Sequence, residues 1–315
     1  MKNYFKTTVG VVATSIFIGL VAGQAAQAAD FKTVGSDWNV VLDSFKDGTD
    51  GGINGVGSPS KYEMFGMAIK ADQNTVSVAI NANIPLLGNF NNNAADKNIG
   101  YGDLFFNFSG KAFQEASAAN QLFGIRFAGS NDSGVGSVGV YGDVKAKSVV
   151  SSNSGWGSFN DYQNWVGGNN RDKTPGATGN KKGEVGFGDL SAAEAKEYIG
   201  NTNIQNVMAS GNLLGGITML SNDELAGLDF GTGNQAVYGL ANTFGFSFDR
   251  NLLPDGDALI SLLAECANDG MAMAMHFEPN KVAVPASVPE PTTVTSLALI
   301  GLALVGGKLR NRNKA

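Results

Sequence analysis

Short runs of β-branched and aromatic residues recur along this chain, and clusters of Gly, Asn and Asp separate them. The clearest run spans residues 75–80, where Val76, Val78 and Ile80 alternate with small or polar residues and so share one face of a strand. The 43 glycines supply turns that need positive φ. The pattern predicts strands at residues 38–43, 62–70, 75–81, 103–108, 123–128, 138–150, 214–220, 243–249, 258–264 and 271–277.

Ten short strands joined by turns predict an all-β ectodomain, with a two-sheet β-sandwich that resembles a jelly roll. We expect a few short helices at residues 113–121 and 159–165 and after two capping boxes, Ser191 with Glu194 and Ser221 with Glu224. The Gly/Asn-rich span 151–188 is predicted to be a long ordered insertion in this sandwich.

The N-terminal residues 1–28 have the three parts of a secretory signal peptide. Two lysines precede an apolar helix at residues 9–22, and Ala26 and Ala28 form a small-residue cleavage site. The sequence therefore predicts export by the Sec machinery with cleavage after Ala28.

The C-terminal residues combine Pro289-Glu290-Pro291, an uncharged apolar run at 294–307 and four basic residues behind it. The prolines hold Glu290 in an extended conformation, because proline fixes φ and disfavours helix at the preceding residue. The apolar run has 14 residues, whereas a comfortable transmembrane helix needs about 20. We expect a short transmembrane helix whose basic end stays in the cytoplasm.

This order of elements resembles the PEP-CTERM sorting signal of Gram-negative bacteria. The resemblance implies that an exosortase recognises Pro289, Glu290 and Pro291 and removes the tail after transient anchoring in the inner membrane. The alternative is an ordinary tail anchor in which the prolines only stop a helix. The predicted organisation is a signal peptide at 1–28, an ectodomain at 29–281, a linker at 282–288 and the sorting signal at 289–315.

Several blocks of the ectodomain are similar to exosortase-dependent surface proteins of cyanobacteria. The blocks are WN at 38–39, DS at 43–44, DG at 47–48, YEMFGMA at 62–68, YGDLFFNF at 101–108 and ECANDG at 265–270. Ala267 stands where the resemblance leads us to expect a glycine. Because this family is defined by sorting, the resemblance adds little about activity. We expect a secreted surface or matrix protein with a structural or interaction role in the extracellular polymer layer.

Charge and cysteine content further limit the partners and the chemistry that we expect of the ectodomain. The two signals hold six basic residues and one acid, so residues 30–288 keep 16 basic and 27 acidic residues, a net charge of −11. That charge argues against nucleic acid as a partner. Cys266 is the single cysteine, so no intramolecular disulfide can form, and we expect a buried, inert thiol.

Catalysis has little support, and we expect no enzyme. His276 is the single histidine, so a triad or a zinc site would have to depend on it. A glycoside hydrolase needs two acids about 5 to 10 Å apart, and Glu63, Asp103 and Glu265 are the acids in apolar strand neighbourhoods. Glycoside hydrolysis is a remote alternative.

Calcium is the one candidate cofactor. Asp43, Asp47 and Asp50 lie in DSFKDGTDGG, where glycines let carboxylates and carbonyls converge on a cation. The other reading is a set of Asp-Gly turns, since this pair is common in tight turns. Residues 91–96 form a second, weaker candidate.

Glycan binding is the alternative function, in a lectin-like module that contacts extracellular polysaccharide. Trp156, Tyr162 and Trp165 lie in the polar insertion, where exposed rings can stack on sugars. Tyr101 and Tyr141 are lesser candidates. The competing interpretation is that these aromatic residues pin the insertion onto the sandwich.

Overall fold

The computed structural model describes residues 37–44, 47–49, 60–168, 186–228, 230 and 242–279. The predictions for the signal peptide, for Asp50, for the linker and for the sorting signal lie outside the described residues, as does the middle of the insertion at 169–185. Within the described ranges, no helix has both the length and the apolar character needed to cross a membrane.

The fold is mostly β, as the sequence predicts, with antiparallel pairing between neighbouring strands. In chain order the strands are β1 Asn39–Leu42, β2 Met64–Ala71, β3 Thr75–Ala82, β4 Asn89–Phe90, β5 Asn98–Ile99, β6 Leu104–Asn107, β7 Leu122–Arg126, β8 Gly139–Lys147, β9 Val207–Gly215, β10 Thr218–Met219, β11 Asn242–Asp249, β12 Gly256–Leu263 and β13 Gly270–Phe277. One sheet has the order β1-β2-β3-β11-β10, and the other has the order β13-β12-β6-β7-β8-β9. Strands β4 and β5 form a separate hairpin.

In the described residues, four short α-helices accompany the sheets: α1 Phe113–Ala118, α2 Phe159–Gly168, α3 Ala192–Ile199 and α4 Asn222–Leu225. Both predicted capping boxes are confirmed. Ser191 caps α3 and exchanges hydrogen bonds with Glu194, and Ser221 does the same with Glu224 at α4.

The two sheets pack face to face around a common core. Val76, Val78 and Ile80 of β3 all lie in this core, while Ala79 faces a smaller cluster on the opposite side of the sheet, which confirms the predicted alternation. Aromatic rings from the two sheets contact one another in this core, and Phe106 of β6 packs edge-on against Phe248 of β11. Apolar burial between the sheets therefore holds the sandwich together.

The six-stranded sheet is also buried on its outer face, where α1, α2 and α3 cover it. Phe105 of β6 packs edge-on against Phe113 of α1, which in turn meets Tyr198 of α3. Burial on both faces explains why β6 and β12 carry nearly continuous apolar runs rather than alternation.

The predicted strand at 214–220 is wrong in its extent. Strand β9 begins at Val207, and residues 216–217 separate it from β10. Gly211 and Asn212 lower the intrinsic strand preference of this segment, yet pairing with β8 makes it a strand. Tertiary context overrides local composition here.

Candidate functional site

Four acidic side chains are buried together where the two sheets meet. Asp43, Asp47, Glu63 and Asp269 are each at most 1% exposed, and we call them the carboxylate cluster. One carboxylate oxygen from each of the three aspartates lies within 4.8 Å of the others. Burial of so many acids in one place is costly unless protons or a cation offset their charge.

The ends of strands position these acids. Asp43 directly follows β1, Glu63 directly precedes β2, and Asp269 directly precedes β13 of the other sheet. The Met64 backbone N–H donates to Asp269 Oδ2 at 2.6 Å, which ties β2 to β13. The carboxylate cluster therefore joins strands from both layers of the sandwich.

Backbone N–H groups contribute most of the hydrogen bonds to the carboxylate cluster among the described residues. Glu63 accepts from the N–H groups of Asp47 at 3.3 Å and Gly48 at 3.2 Å. Asp269 also accepts from Gly270 N–H at 2.8 Å. These bonds fix the turns around the cluster and partly stabilise its charged form.

A second segment closes over the cluster from residues 186–189. The Gly186 N–H donates to Asp47 Oδ2 at 2.9 Å, and the Gly188 N–H donates to Asp43 Oδ1 at 3.0 Å. Gly188 has φ +60°, and a Cβ there would lie 2.2 Å from the Ala272 carbonyl oxygen. Only glycine permits this close approach of the segment to β13.

The acids of the cluster perturb one another. Burial raises the pKa of Glu63 well above its ordinary value, and the neighbouring Asp43 adds to the rise. Burial likewise raises the pKa of Asp269, with further contributions from Asp43, Asp47 and Glu63. The arrangement thus favours either bound protons or a bound cation.

The aromatic residues of the insertion lie directly beside this site. Tyr162 of α2 donates its hydroxyl to the Asp47 carbonyl at 3.2 Å. Trp156 Nε1 donates to Thr49 Oγ1 at 2.8 Å, and its backbone N–H donates to the Cys266 carbonyl at 3.3 Å. The residues predicted as glycan contacts and those predicted as calcium ligands therefore meet in one region of the fold.

Three of the predicted glycan contacts are not exposed. Tyr162, Tyr101 and Tyr141 are buried, so the expectation that their rings are accessible is wrong. Their hydroxyls make internal hydrogen bonds instead, as Tyr101 does with the Ile84 carbonyl at 2.7 Å. Trp156 is half-buried, whereas Trp165 is 41% exposed and lies 6.1 Å from Trp156 between ring centroids. For Trp156 and Tyr162 the contacts support the pinning interpretation.

The structure gathers a set of aspartates that differs in part from the set predicted as calcium ligands. Asp43 and Asp47 come together as expected, Asp50 lies outside the described residues, and Asp269 supplies the third carboxylate. One sequence signal could have pointed to Asp269, namely its place in an Asp-Gly pair directly before a predicted strand. At 91–96 the side chains of Asn91 and Asp96 cap tight turns.

Two other acids singled out in the sequence are also buried. Asp103 accepts hydrogen bonds from Asn131, Ser133 and the Met208 backbone. Glu265 accepts from the N–H groups of Gly100 at 2.7 Å and Asp132 at 2.5 Å. Burial raises the pKa of Glu265 to about 7.

Cys266 and His276 occupy different surroundings. Cys266 is fully buried, as predicted, and burial raises the pKa of its thiol to about 12, which leaves it unreactive. His276 is exposed near the far end of β13, and its Nδ1 lies 2.7 Å from Asp257 Oδ1. The two side chains do not form a catalytic pair.

Comparison with known proteins identifies the C-terminal region. A protein-family model for the PEP-CTERM protein-sorting motif matches residues 287–313. No curated protein and no solved structure matches the chain. The motif confirms the predicted sorting signal and indicates an exosortase-dependent protein exported to the cell envelope or surface.

Proposed function

We propose that this chain is a non-catalytic structural or interaction protein of the extracellular polymer layer, of the cyanobacterial type. The Sec machinery exports it, and an exosortase processes it after transient anchoring in the inner membrane. The observation that carries this proposal is the sorting motif at residues 287–313. The ectodomain supports a non-catalytic role. The candidate catalytic acids Glu63, Asp103 and Glu265 are buried and accept backbone hydrogen bonds.

The sorting step is tested by intact mass of the protein recovered from the exporting cells. Glu290→Ala should leave the tail uncut, whereas Glu278→Ala, an exposed acid outside the motif, should be trimmed normally. Normal trimming of the Glu290→Ala variant would contradict recognition of this residue. Cells lacking the protein should also retain less extracellular polymer, and complementation by the full chain should restore it.

A structural calcium ion at the carboxylate cluster is the second proposal. Opposed oxygen ligands of calcium are at most about 5 Å apart, because each lies about 2.3 to 2.6 Å from the ion. The oxygens of Asp43, Asp47 and Asp269 meet that limit, and Glu63 lies beside them. Such an ion would stabilise the junction of the two sheets by offsetting the negative charge of these acids.

Calorimetric titration of Ca²⁺ into protein from which a chelator has removed metal ions tests the calcium site. Asp269→Asn should weaken binding by at least about tenfold, since it removes one charged ligand. Asp257→Asn replaces an exposed aspartate outside the cluster and should leave the affinity unchanged. Equal heats for wild type and the Asp269→Asn variant would remove the proposal.

Glycan binding is the alternative function, and the exposure of Trp165 favours it. Trp165→Ala should abolish binding of extracellular polysaccharide to the protein. Phe90→Ala is the matched control, because Phe90 is an exposed aromatic residue outside the insertion, in the β4–β5 hairpin. Unchanged retention of the Trp165→Ala variant on immobilised polymer would exclude a ring-stacking site at this residue.

A further inference from the structure

Among the described residues, no strand pairs with the second half of the outer strand at one edge of the six-stranded sheet, and we call this half the open edge. Strand β9 is outermost, and its first half is covered where Gly134 N–H donates to the Met208 carbonyl at 2.7 Å. The second half, residues 210–215, is largely exposed. Leu213 is 55% exposed and Leu214 is 43% exposed, although both are large and apolar.

The other sheet edges in the described part of the chain differ from this one. Residues 187–189 pair alongside β13, where the Asp189 N–H donates to the Ala272 carbonyl at 2.8 Å. The edge strands of the five-stranded sheet are short, with four residues in β1 and two in β10. Short and covered edges resist pairing with other chains, and residues 210–215 of β9 lack both protections.

Strand β9 differs in charge from the rest of the ectodomain. Residues 198–222 form an uninterrupted stretch of 25 residues without a charged side chain. Residues 30–288 as a whole carry a net charge of −11. The part of β8 that pairs with residues 210–215 carries Asp143 and Lys145, whose opposite charges leave the open edge without net charge. Exposed Val138, directly before β8, extends the apolar surface toward Leu213, which lies against Gly139.

We propose that residues 211–215 of β9 pair antiparallel with the same residues of a second copy of this chain. Pairing about a two-fold axis centred on Leu213 sets this leucine opposite its counterpart and joins two six-stranded sheets edge to edge. A second copy of the chain is the expected partner, because two acidic ectodomains repel each other least where their edges are uncharged. The inference depends neither on sorting nor on calcium.

Cysteine cross-linking of the full chain on the cells that export it tests this pairing. The Leu213→Cys variant should form a disulfide-linked dimer after mild oxidation by copper phenanthroline, because the two thiols meet at the axis. Cys266 is buried and does not compete. Leu87→Cys is the matched control, since Leu87 is 74% exposed and lies before β4.

The expected result is at least a tenfold greater yield of reducible dimer from Leu213→Cys than from Leu87→Cys. Equal yields from the two variants would overturn the proposal, as would the absence of dimer from both. A partner of another mass, trapped by the Leu213→Cys variant without the homodimer, would also overturn it.

Sedimentation of the detergent-solubilised full chain gives a second, independent measurement. Leu213→Lys places a charge on the open edge and should shift the protein from dimer to monomer, whereas Leu87→Lys should sediment as wild type does. A wild-type protein that stays monomeric at every concentration, or a dimer that survives Leu213→Lys, would refute self-pairing at β9.

Discussion

The carboxylate cluster and Asp103 are equally buried, but different groups face the acids. Asp103 Oδ1 accepts from Asn131 Nδ2 at 2.8 Å, and its Oδ2 accepts from Ser133 Oγ and the Met208 N–H, each at 2.7 Å. In the carboxylate cluster, oxygens of three aspartates instead lie within 4.8 Å of one another. Both sites receive hydrogen bonds, but only in the carboxylate cluster do further acids lie beside each acid.

The comparison shows that burial alone does not decide what an acid needs. Burial raises the pKa of Asp103, but its hydrogen bonds and the nearby Arg126 guanidinium oppose that rise. At Asp269, burial raises the pKa, and the three neighbouring acids raise it further. Donors and a cation of the protein therefore oppose the rise at Asp103, whereas the acids of the carboxylate cluster raise one another's pKa, which favours a proton or a cation beside them.

The largest effect should come from removing Asp103. Asp103→Ala leaves three donors without their acceptor, and we expect the free energy of unfolding to fall by at least about 4.5 kcal/mol, because each lost bond to a charged group costs about 1.5 to 3 kcal/mol. Urea denaturation measures this loss. It should be the same with and without a calcium chelator.

Two further variants sharpen that result. Asp103→Asn keeps one acceptor oxygen and should lose only about half as much free energy of unfolding. Asp37→Asn removes an exposed partner of Lys70 and should change it by less than about 1 kcal/mol. If Asp103→Ala were no more destabilised than Asp37→Asn, the donors around Asp103 would not be holding the fold.

Glu265 is intermediate between Asp103 and the carboxylate cluster, and its contribution to the free energy of unfolding depends on pH. Burial chiefly, then Asp132 and Asp96, raise its pKa to about 7 in the folded protein, from 4.5. The folded state binds this proton more tightly, so its stabilising contribution is complete below pH 4.5 and is lost as the pH rises through about 7. The loss is about 3 kcal/mol.

We therefore expect the free energy of unfolding of the wild type to fall more steeply between pH 4.5 and 7 than that of Glu265→Gln. Urea denaturation at several pH values, in a chelator, measures the two slopes. The remaining buried acids contribute equally to both proteins. Parallel curves would mean that Glu265 does not titrate in this window.

The carboxylate cluster should respond to calcium where Asp103 does not. Calcium at about 100 times its dissociation constant should add about 2.7 kcal/mol to the free energy of unfolding of the wild type. Asp103→Asn should keep this increment, and Asp269→Asn should lose it. Thermal unfolding with calcium and with chelator measures the increment. An identical melting temperature in both would favour shared protons over a cation.

Local patterns were sufficient for most strands. Alternation in β3 and aromatic residues in β6 and β11 marked these strands without any knowledge of their partners. Strand β9 was misplaced because Gly211 and Asn212 carry little strand preference, and only pairing with β8 makes the segment extended. The order of strands in the two sheets depends on long-range pairing, which no local pattern encodes.

The candidate site was predictable only in its local part. Asp43 and Asp47 are close in sequence, so a shared turn was foreseeable, but Asp269 meets them only because β13 packs beside β2. Tyr162 illustrates the opposite error. A polar, glycine-rich neighbourhood suggested exposure, whereas the helix α2 turns the ring inward, and its hydroxyl reaches the Asp47 carbonyl.

The smallest effect concerns Ala267, in the turn that leads to Asp269. Its φ is +50°, in the left-handed region that favours glycine, and a glycine is the residue that the resemblance leads one to expect at this position. Ala267→Gly relieves about 1 to 2 kcal/mol of backbone strain. It also loses a buried methyl group and increases the freedom of the unfolded chain, so the net gain should be at most about 1 kcal/mol. Urea denaturation should show this gain, while Ala116→Gly, at a buried position inside α1, should lose about 2 kcal/mol through lower helix propensity and the lost methyl group. Equal losses in the two variants would mean that the turn holds Ala267 without strain, and that the glycine expected there has another role in carrying Asp269 to the carboxylate cluster.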